Sequence, residues 1–449
     1  MEDSTTMLSK LGNGIKNSIM LKLFLIATIM LLLLIPTSGI KDLIYERQSN
    51  RQAVMSEISD KWGGHQVLAG PILNVPYKTY FQNKEGELRY TTSYAHFLPN
   101  RLSVVGDIEP EMRKRGIYEV VMYNTKLSFK GAFGKPDFDI LNIDSAHVMW
   151  EDAYVSIGIP DMSAIQKDVL LTWGEKSYAM ESGLPERDVV KSGLISRVPL
   201  NEADQYSFSF DVDVNGSGQL SFVPTGKKTI VNLKSTWADP SFNGEFLPDT
   251  SNVSADGFTA SWEVLDLNRN FPQQWLGNDQ NIQAAAFGVS LFMPVDEYQK
   301  NMRSVKYAML VISLTFLIFF LIEILNKKRF HPFQYVMVGL VVVIFYSLLI
   351  SFTEHLGFNM AYLISAVMVV GLITVYVAAV FRSIRLTALV SLLLSVIYFF
   401  IFVILQLQDF ALLVGSLGLF AALASLMYLS RHIDWYNLGR KPEAIAEPE

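Results

Sequence analysis

The residues best placed to do chemistry at a membrane surface are Glu354, His355, Asn359 and Asp409, each at or beside the end of a long apolar run. Carboxylates with an imidazole and an amide can line a shallow polar site, and ionisable groups kept near a bilayer are costly unless they serve a path or a partner. Ordinary loop polarity is the plainer account of the same four residues. A second candidate is the segment Phe242-Asn243-Gly244-Glu245-Phe246-Leu247, bracketed by Pro240 and Pro248. Its three large apolar side chains can anchor around an Asn-Gly turn, either onto the chain's own domain or onto a partner.

Other carboxylates fit known chemistries less well. Asp211 with Asp213, and Asp137 with Asp139, share strand faces and could ligate calcium through oxygen, but the glycine-punctuated spacing of a calcium loop is missing. Glu245, Asp249 and Asp256 could supply an acid and a base for glycoside cleavage. His65, His96 and His147 are scattered and form no His-x-x-x-His helix. Neither a Gly-x-Ser-x-Gly elbow nor a phosphate-cradling glycine loop occurs. The expectation is a protein with no catalytic residues, no metal site and no cofactor.

Composition narrows the class. Half of the 449 residues are hydrophobic, and the formal net charge is -6, which gives no basic field for nucleic acid. There is no cysteine, which excludes disulfides, thiolate catalysis and Cys-type zinc sites.

A hydrocarbon core about 30 Å thick takes about 20 apolar residues in a helix. Runs of that kind cover residues 20–40, 305–325, 333–352, 358–381, 386–407 and 409–430. Basic residues fall in alternate short connections: Lys10, Lys16 and Lys22, then Lys327, Lys328 and Arg329, then Arg382 and Arg385, then Arg431, Arg440 and Lys441. The intervening loops, Thr353-Glu354-His355 and 406–409, carry no Lys or Arg. The positive-inside rule therefore places both termini in the cytoplasm and the large insert outside, in the periplasm of a Gram-negative cell. The first span also offers Thr37-Ser38-Gly39 as small residues for a signal peptidase. Against cleavage, the periodic run Ile40, Ile44, Arg47, Arg51, Val54, Ile58 reads as the same helix continuing out of the membrane, a retained anchor.

The expected architecture is a polytopic α-helical membrane protein of six transmembrane helices, with a large, mostly antiparallel, sandwich-like β-domain outside the cytoplasm between helices 1 and 2. Its parts are a cytoplasmic N-terminus (1–19), the first helix (20–40), a helical stalk (41–62), a β-rich domain (63–303), a five-helix bundle (304–430) and a cytoplasmic tail (431–449). Tyr206, Phe208, Phe210, Val212 and Val214 alternate along one strand face. Asn215-Gly216-Ser217-Gly218 then reads as a four-residue hairpin loop, with Leu220 and Phe222 on the returning strand. Similar alternation at Val155, Ile157 and Ile159, at Val231 and Leu233, and from Phe258 to Val264 argues for a sandwich or super-sandwich, with a closed barrel as the alternative. Five of the seven tryptophans lie in this part.

The apolar spans carry few charges. Glu323 stands one turn from Lys327 and reads as an interfacial pair, while Arg303 and Lys306 can snorkel at the entrance to the second span. Gly415, Gly418, Ala421, Ala422, Ala424 and Ser425 give the last span a smooth stripe for close helix contact. The block reads as a packed anchor.

Several motifs in order carry a resemblance: Glu46-Arg47-Gln48, the run from Gly70 to Tyr77, Phe97-Leu98-Pro99, Arg115-Gly116-Ile117-Tyr118, the run from Pro240 to Pro248, and Gly257 to Trp262. The membrane part adds Lys306-Tyr307-Ala308, Leu314-Thr315-Phe316, His331 to Tyr335, Glu354-His355 and Ile433-Asp434-Trp435-Tyr436. Nearly end to end, the chain resembles the CreD family of bacterial inner-membrane proteins. The resemblance implies a place in the inner membrane and a role in cell-envelope integrity and the response to envelope stress, with no catalytic residues to carry over. The expected partners are membrane lipids, with other envelope proteins or an envelope glycan as candidates. The expected function is non-enzymatic binding by the β-domain. The alternative is lipid or glycan transport, or membrane-proximal transfer, at the polar mouth of the bundle.

Overall fold

Two hydrophobic periods divide this chain, one of 3.6 residues at its ends and one of 2 in its middle. The computed structural model describes residues 19–186, 189–200, 204–277, 279–291, 297–326, 330–407 and 410–431. Lys10, Lys16, Lys327, Lys328, Arg329, Asp409, Asp434, Trp435, Tyr436, Arg440 and Lys441 lie outside the described residues. The chain divides into two compact units, one made of residues 1–50 and 295–449, the other of residues 51–294.

In the helical unit, α1 (Ile19–Asp60) is one continuous helix of 42 residues that runs through Pro36. At 1.5 Å per residue it is about 63 Å long, roughly twice a hydrocarbon core. The short amphipathic α2 (Glu297–Lys306) precedes α3 (Ala308–Leu325), α4 (Pro332–Leu356), α5 (Phe358–Phe381), α6 (Ile384–Gln406) and α7 (Ala411–Ser430). Five of these, α1 and α3 to α6, are long and apolar enough to cross a membrane. In α7 the described apolar segment is shorter, Leu413–Tyr428. α4 begins where its sequence says it should. His331 caps it by accepting from Phe333 N–H at 3.3 Å, Gln334 reaches back to His331 N–H at 2.9 Å, and Pro332 takes the first helical position. Gly357, at φ +75°, turns α4 into α5. Ile26, Ile29, Leu33, Ile40 and Ile44 of α1 are buried in the same core as α3 to α6. Gly339 makes room for this packing: a Cβ there would stand 2.2 Å from Leu33.

The β-unit holds two sheets, numbered here in chain order. The first runs β13 (Pro240–Gly244), β17 (Phe287–Leu291), β11 (Gln219–Val223), β1 (Gln66–Gln82), β5 (Tyr154–Gly158), β9 (Gly193–Arg197), β8 (Glu181–Ser182). β2 (Leu88–Phe97) pairs with β1, and β16 (Gln274–Leu276) pairs with β2. The second sheet runs β14 (Thr250–Ser254), β15 (Gly257–Leu265), β12 (Lys228–Ser235), β3 (Arg101–Arg115), β4 (Tyr118–Gly134), β10 (Gln205–Ser217), β6 (Leu170–Trp173), β7 (Lys176–Ala179). Pairing is mostly antiparallel, but β1 with β11 and β12 with β3 are parallel, so the sheets are mixed. One core joins their inner faces around Tyr123, Phe129, Phe210, Phe222, Trp262 and Phe287. The rings of Phe129 and Phe210 stack at 4.7 Å across neighbouring strands.

Two expectations about strands change. Asn215, Gly216 and Ser217 are not a hairpin loop; they continue β10, opposite Asn124, Tyr123 and Met122 of β4. Gly216 lies where any Cβ would meet the Tyr123 ring, and Gly218 at φ +67° sends the chain across to the other sheet, where β11 pairs with β1 and β17. Nor does β5 have a wet face, since all five of its residues are buried. A second small core, with Ile72, Leu98, Val190, Phe271, Trp275 and Ile282, covers the other side of its sheet.

The outer face of the second sheet is a charge ladder. Lys234, Asp107, Lys126 and Asp213 stand in cross-strand register on β12, β3, β4 and β10. Lys234 bonds Asp107 at 2.7 Å and Lys167 closes on Asp213 at 2.5 Å. Asp213 thus has a lysine for a partner, as a solvated strand face would have it.

Candidate functional site

Polar side chains converge where α4 turns into α5. Glu354, in the last turn of α4, accepts from Tyr298 Oη at 3.4 Å and lies 3.8 Å from the Arg47 guanidinium of α1. The neighbouring Thr353, whose hydroxyl donates to the Leu349 carbonyl at 2.6 Å, has that oxygen 3.3 Å from Asn301 Oδ1. Glu297 accepts the N–H of Phe358 at 3.3 Å, capping the start of α5 with a carboxylate that suits the positive end of that helix. Arg303 donates to the carbonyl of Leu407 at 2.7 Å, covering an open carbonyl at the end of α6. Asn359 accepts from Gln406 at 2.6 Å, and His355 is exposed. The fourth candidate, Asp409, is outside the described residues.

Sequence reading missed the α2 half of this cluster. Residues 297–306 look like a polar approach to a span, yet Tyr298, Asn301, Ser304 and Val305 share one buried face. Their spacing of three and four residues was the available signal. Asn301 Nδ2 and Ser304 Oγ are buried with no hydrogen-bond partner among the described residues. Chemically the group combines neutral donors and acceptors with the Glu297 carboxylate, the Arg303 guanidinium and one loose Glu354–Arg47 pair, able to hold a polar head group but without a paired acid and base.

A tighter charge cluster joins the other ends of these helices. Glu323 of α3 is buried and pairs with Lys22 of α1. It also accepts the N–H of Phe330 at 3.1 Å and the hydroxyl of Tyr335 at 3.1 Å. The partner expected from local spacing, Lys327, is outside the described residues.

In the β-unit, the segment from Phe242 to Leu247 lies along β13 and just after it. Phe242 meets Phe258 and Trp262 edge-on, each at 5.7 Å, and Phe246 meets Phe287 at 5.9 Å. Trp262 Nε1 donates to the Phe246 carbonyl at 3.3 Å, and Asn243 Nδ2 donates to Ser290 Oγ at 2.6 Å. Gly244, at φ +97°, lies against Ala286 and Phe287 where a Cβ would clash. Glu245 and Leu247 face outward, Leu247 with 71% of its surface exposed.

One acid weighed for catalysis and one weighed for calcium hold local structure. Asp249 accepts the N–H of Glu263 at 2.6 Å, and Asp137 accepts that of Asp139 at 3.1 Å. His96 is buried against Trp275. Its Nδ1 stands 2.7 Å from Asn74 Oδ1, whose amide nitrogen is turned to the Ile72 carbonyl at 3.1 Å, so Nδ1 carries the proton. Burial holds this imidazole down to about 4, against weaker upward pulls from Glu186 and the Gly277 backbone. Among the described residues no group of three or more His, Asp or Glu side chains could hold a metal ion.

The family model for inner membrane protein CreD matches residues 18–436, a range that takes in both units. The chain belongs to the CreD family. A curated member, inner membrane protein CreD of Escherichia coli (strain K12), is 33% identical over 415 residues, covering 90% of this chain and 91% of that one. This CreD-family chain is therefore a multi-pass inner-membrane protein with a large β-domain. Among solved structures, an M1 zinc metallopeptidase variant from Deinococcus radiodurans, bound to a Tyr-Ser-Ala substrate, aligns over 43% of this chain and 42% of its own. Its TM-score is 0.19 at 9% identity. A two-domain M1 zinc metallopeptidase variant bound to L-arginine gives 0.18 at 7% identity, covering 49% of this chain and 53% of its own. Scores that low carry no argument about fold or chemistry.

Proposed function

We propose that this CreD-family chain is a non-enzymatic envelope protein of six spans, with both termini in the cytoplasm and its β-domain in the periplasm. There the domain binds an envelope component or a partner protein in support of envelope integrity. The observation that carries the reading is the division of labour between the units. The helices are packed around apolar side chains and the Glu323 cluster, while the β-unit has its own aromatic core and presents a broad polar surface. The buried stripe of α1 supports a retained first helix, because cleavage near Gly39 would remove Ile26, Ile29 and Leu33 from the helical core. Complementation tests the proposal. A chain lacking residues 65–300 should fail to restore envelope robustness in cells lacking the protein, and full rescue by the bare helices would refute it.

The second reading, lipid or glycan transfer at the polar mouth, is favoured by one observation: the buried Asn301 Nδ2 and Ser304 Oγ, without hydrogen-bond partners among the described residues, beside Thr353 and Glu354. It expects Glu354→Gln or His355→Ala to abolish function at normal protein abundance. Normal complementation by both variants would eliminate it.

A further inference from the structure

β14 is a terminal strand without the protections that β7, β8, β13 and β16 carry. Proteins protect sheet edges with short strands, proline, inserted charges or bulges, because an open row of N–H and C=O groups recruits another strand. Here β8 has two residues and β16 three. β7 has four and begins with Lys176, while β13 opens on Pro240 and closes on Gly244 at φ +97°. β14, Thr-Ser-Asn-Val-Ser, has five residues, no proline, no glycine and no charge, and all five are exposed. Its inward-side Val253 is 49% exposed, so the strand overhangs the sandwich core.

The hydrogen-bond parity of this strand can be read from its turn. A two-residue turn, Ala255-Asp256, joins β14 to β15, which makes Ser254 and Gly257 a hydrogen-bonded pair. Asn252 opposite Thr259 and Thr250 opposite Ser261 have the same parity and aim their backbones at β15. The N–H and C=O groups of Ser251 and Val253 therefore point off the sheet. Outside the strand ladders, no backbone bond among the described residues reaches either N–H.

The face beside this edge is hollowed. Residues of β14 (Thr250, Asn252) and of β3 (Val105) line one hollow of about 430 Å3, although two strands stand between them. In a flat sheet they would be about 14 Å apart at about 4.8 Å per strand, so the four strands curl. A second hollow of about 510 Å3 shares Asn252, Lys234 and Thr259 with the first and adds Asp107, Glu109 and Asp256. The first hollow is lined by uncharged residues and Lys234; in the second, Asp107 pairs with Lys234 and Glu109 with Lys126, which leaves Asp256 as its carboxylate with no ion pair among the described residues.

The geometry points to β14 as a docking edge for an extended polypeptide strand of a partner protein, with hydroxyl or β-branched side chains over the first hollow and a lysine or arginine at the Asp256 end. An added strand continues the curl and roofs the channel. Its backbone bonds to Ser251 and Val253, and its basic side chain meets Asp256. This deepens the proposed function, and rests on it, by naming the class of partner.

The test uses the full chain in lipid nanodiscs and a phage-displayed library of random twelve-residue peptides. Selected peptides should be extended, β-branched and basic at one end, and they should slow amide exchange at Ser251 and Val253 by at least about tenfold. Val253→Pro removes one outward N–H without touching the β15 ladder, and Val253→Lys adds the charge that natural edges use. Each should weaken peptide binding by at least about tenfold, the loss of about one hydrogen bond's worth of affinity or more. Val253→Lys keeps the backbone donor, so it tests the site even where the proline variant fails to fold. Equal binding by wild type and both variants overturns the proposal. So does slowed exchange at Ser251 and Val253 on adding tetra-N-acetylchitotetraose in place of peptide, which would make the channel a glycan site. Should the deletion of 65–300 abolish complementation while Val253→Lys binds and complements normally, the edge falls and the domain's binding role stands.

Discussion

The two units place their polar and apolar groups in opposite ways. In the β-unit Trp262, Tyr123 and Phe129 are inside, and the charged pairs Lys234–Asp107 and Lys228–Glu263 are out in water. In the helices Val375, Phe399 and Phe420 are each at least 69% exposed, while Glu323, Asn301, Ser304 and Ser365 are buried. One chain has been fitted to two solvents. In water a surface charge is cheap and a surface pair adds little. In hydrocarbon an apolar surface gains nothing by hiding, and polar contacts between helices carry specificity. The same kind of Lys–Glu contact should therefore differ in weight between the two units.

The largest effect is expected at Glu323. Its carboxylate takes hydrogen bonds from Lys22, Phe330 N–H and Tyr335 Oη. Glu323→Ala strands a cation and two donors in the helical core, and should lower stability by about 3 kcal/mol or more, read as thermal unfolding of the full chain in nanodiscs. The double variant Lys22→Met with Glu323→Leu should recover most of that loss, because neither charge is then left without its partner. Equal losses for the single and double variants would mean that packing, not charge pairing, carries this site.

That cluster also shows where sequence stops being informative. Element type was legible because it is local: β10 buries Tyr206, Phe208, Phe210, Val212 and Val214 in strict alternation, and α4 starts at its His-Pro signal. Pairing was not. Local spacing offers Lys327, which lies outside the described residues, while the fold brings Lys22 to Glu323 from 301 residues away. The turn signal at Asn215–Gly218 was real as a bend and wrong as a hairpin, since only the tertiary ladder to β4 tells whether a strand returns or crosses to another sheet. Of the candidate mouth, Glu354 could be singled out as a charge beside a span. Asn301 could not, because its burial depends on α2 lying against α4.

An intermediate effect is expected from His96 in the β-unit. The unfolded chain takes up this proton near pH 6.5, while burial in the fold delays it to about 4. Between those values the unfolded state holds more protons. Stability is therefore complete above pH 6.5 and declines as pH falls toward 4, by about 3 kcal/mol over the whole window. Denaturant unfolding followed by tryptophan fluorescence should show this slope, since Trp275 packs on the imidazole. His96→Gln should flatten it. A slope that survives His96→Gln would assign the acid sensitivity to carboxylates of the strand faces, and would weaken the view that buried polar groups matter in both units.

The smallest effect belongs to the outer ladder. Lys228 and Glu263 approach to 2.7 Å with side chains 45% and 49% exposed. Water screens such a pair, and holding two long side chains in one geometry costs entropy. Lys228→Ala should therefore shift stability by no more than about 0.5 kcal/mol, measured against the same unfolding signal. Raising the salt to 1 M should erase even that difference. It should leave the Glu323 deficit intact, because salt reaches a buried pair only weakly. A ladder variant as costly as Glu323→Ala would mean that the sheet's charges act as a connected network, and the contrast between the two solvents would no longer account for where this protein keeps its ion pairs.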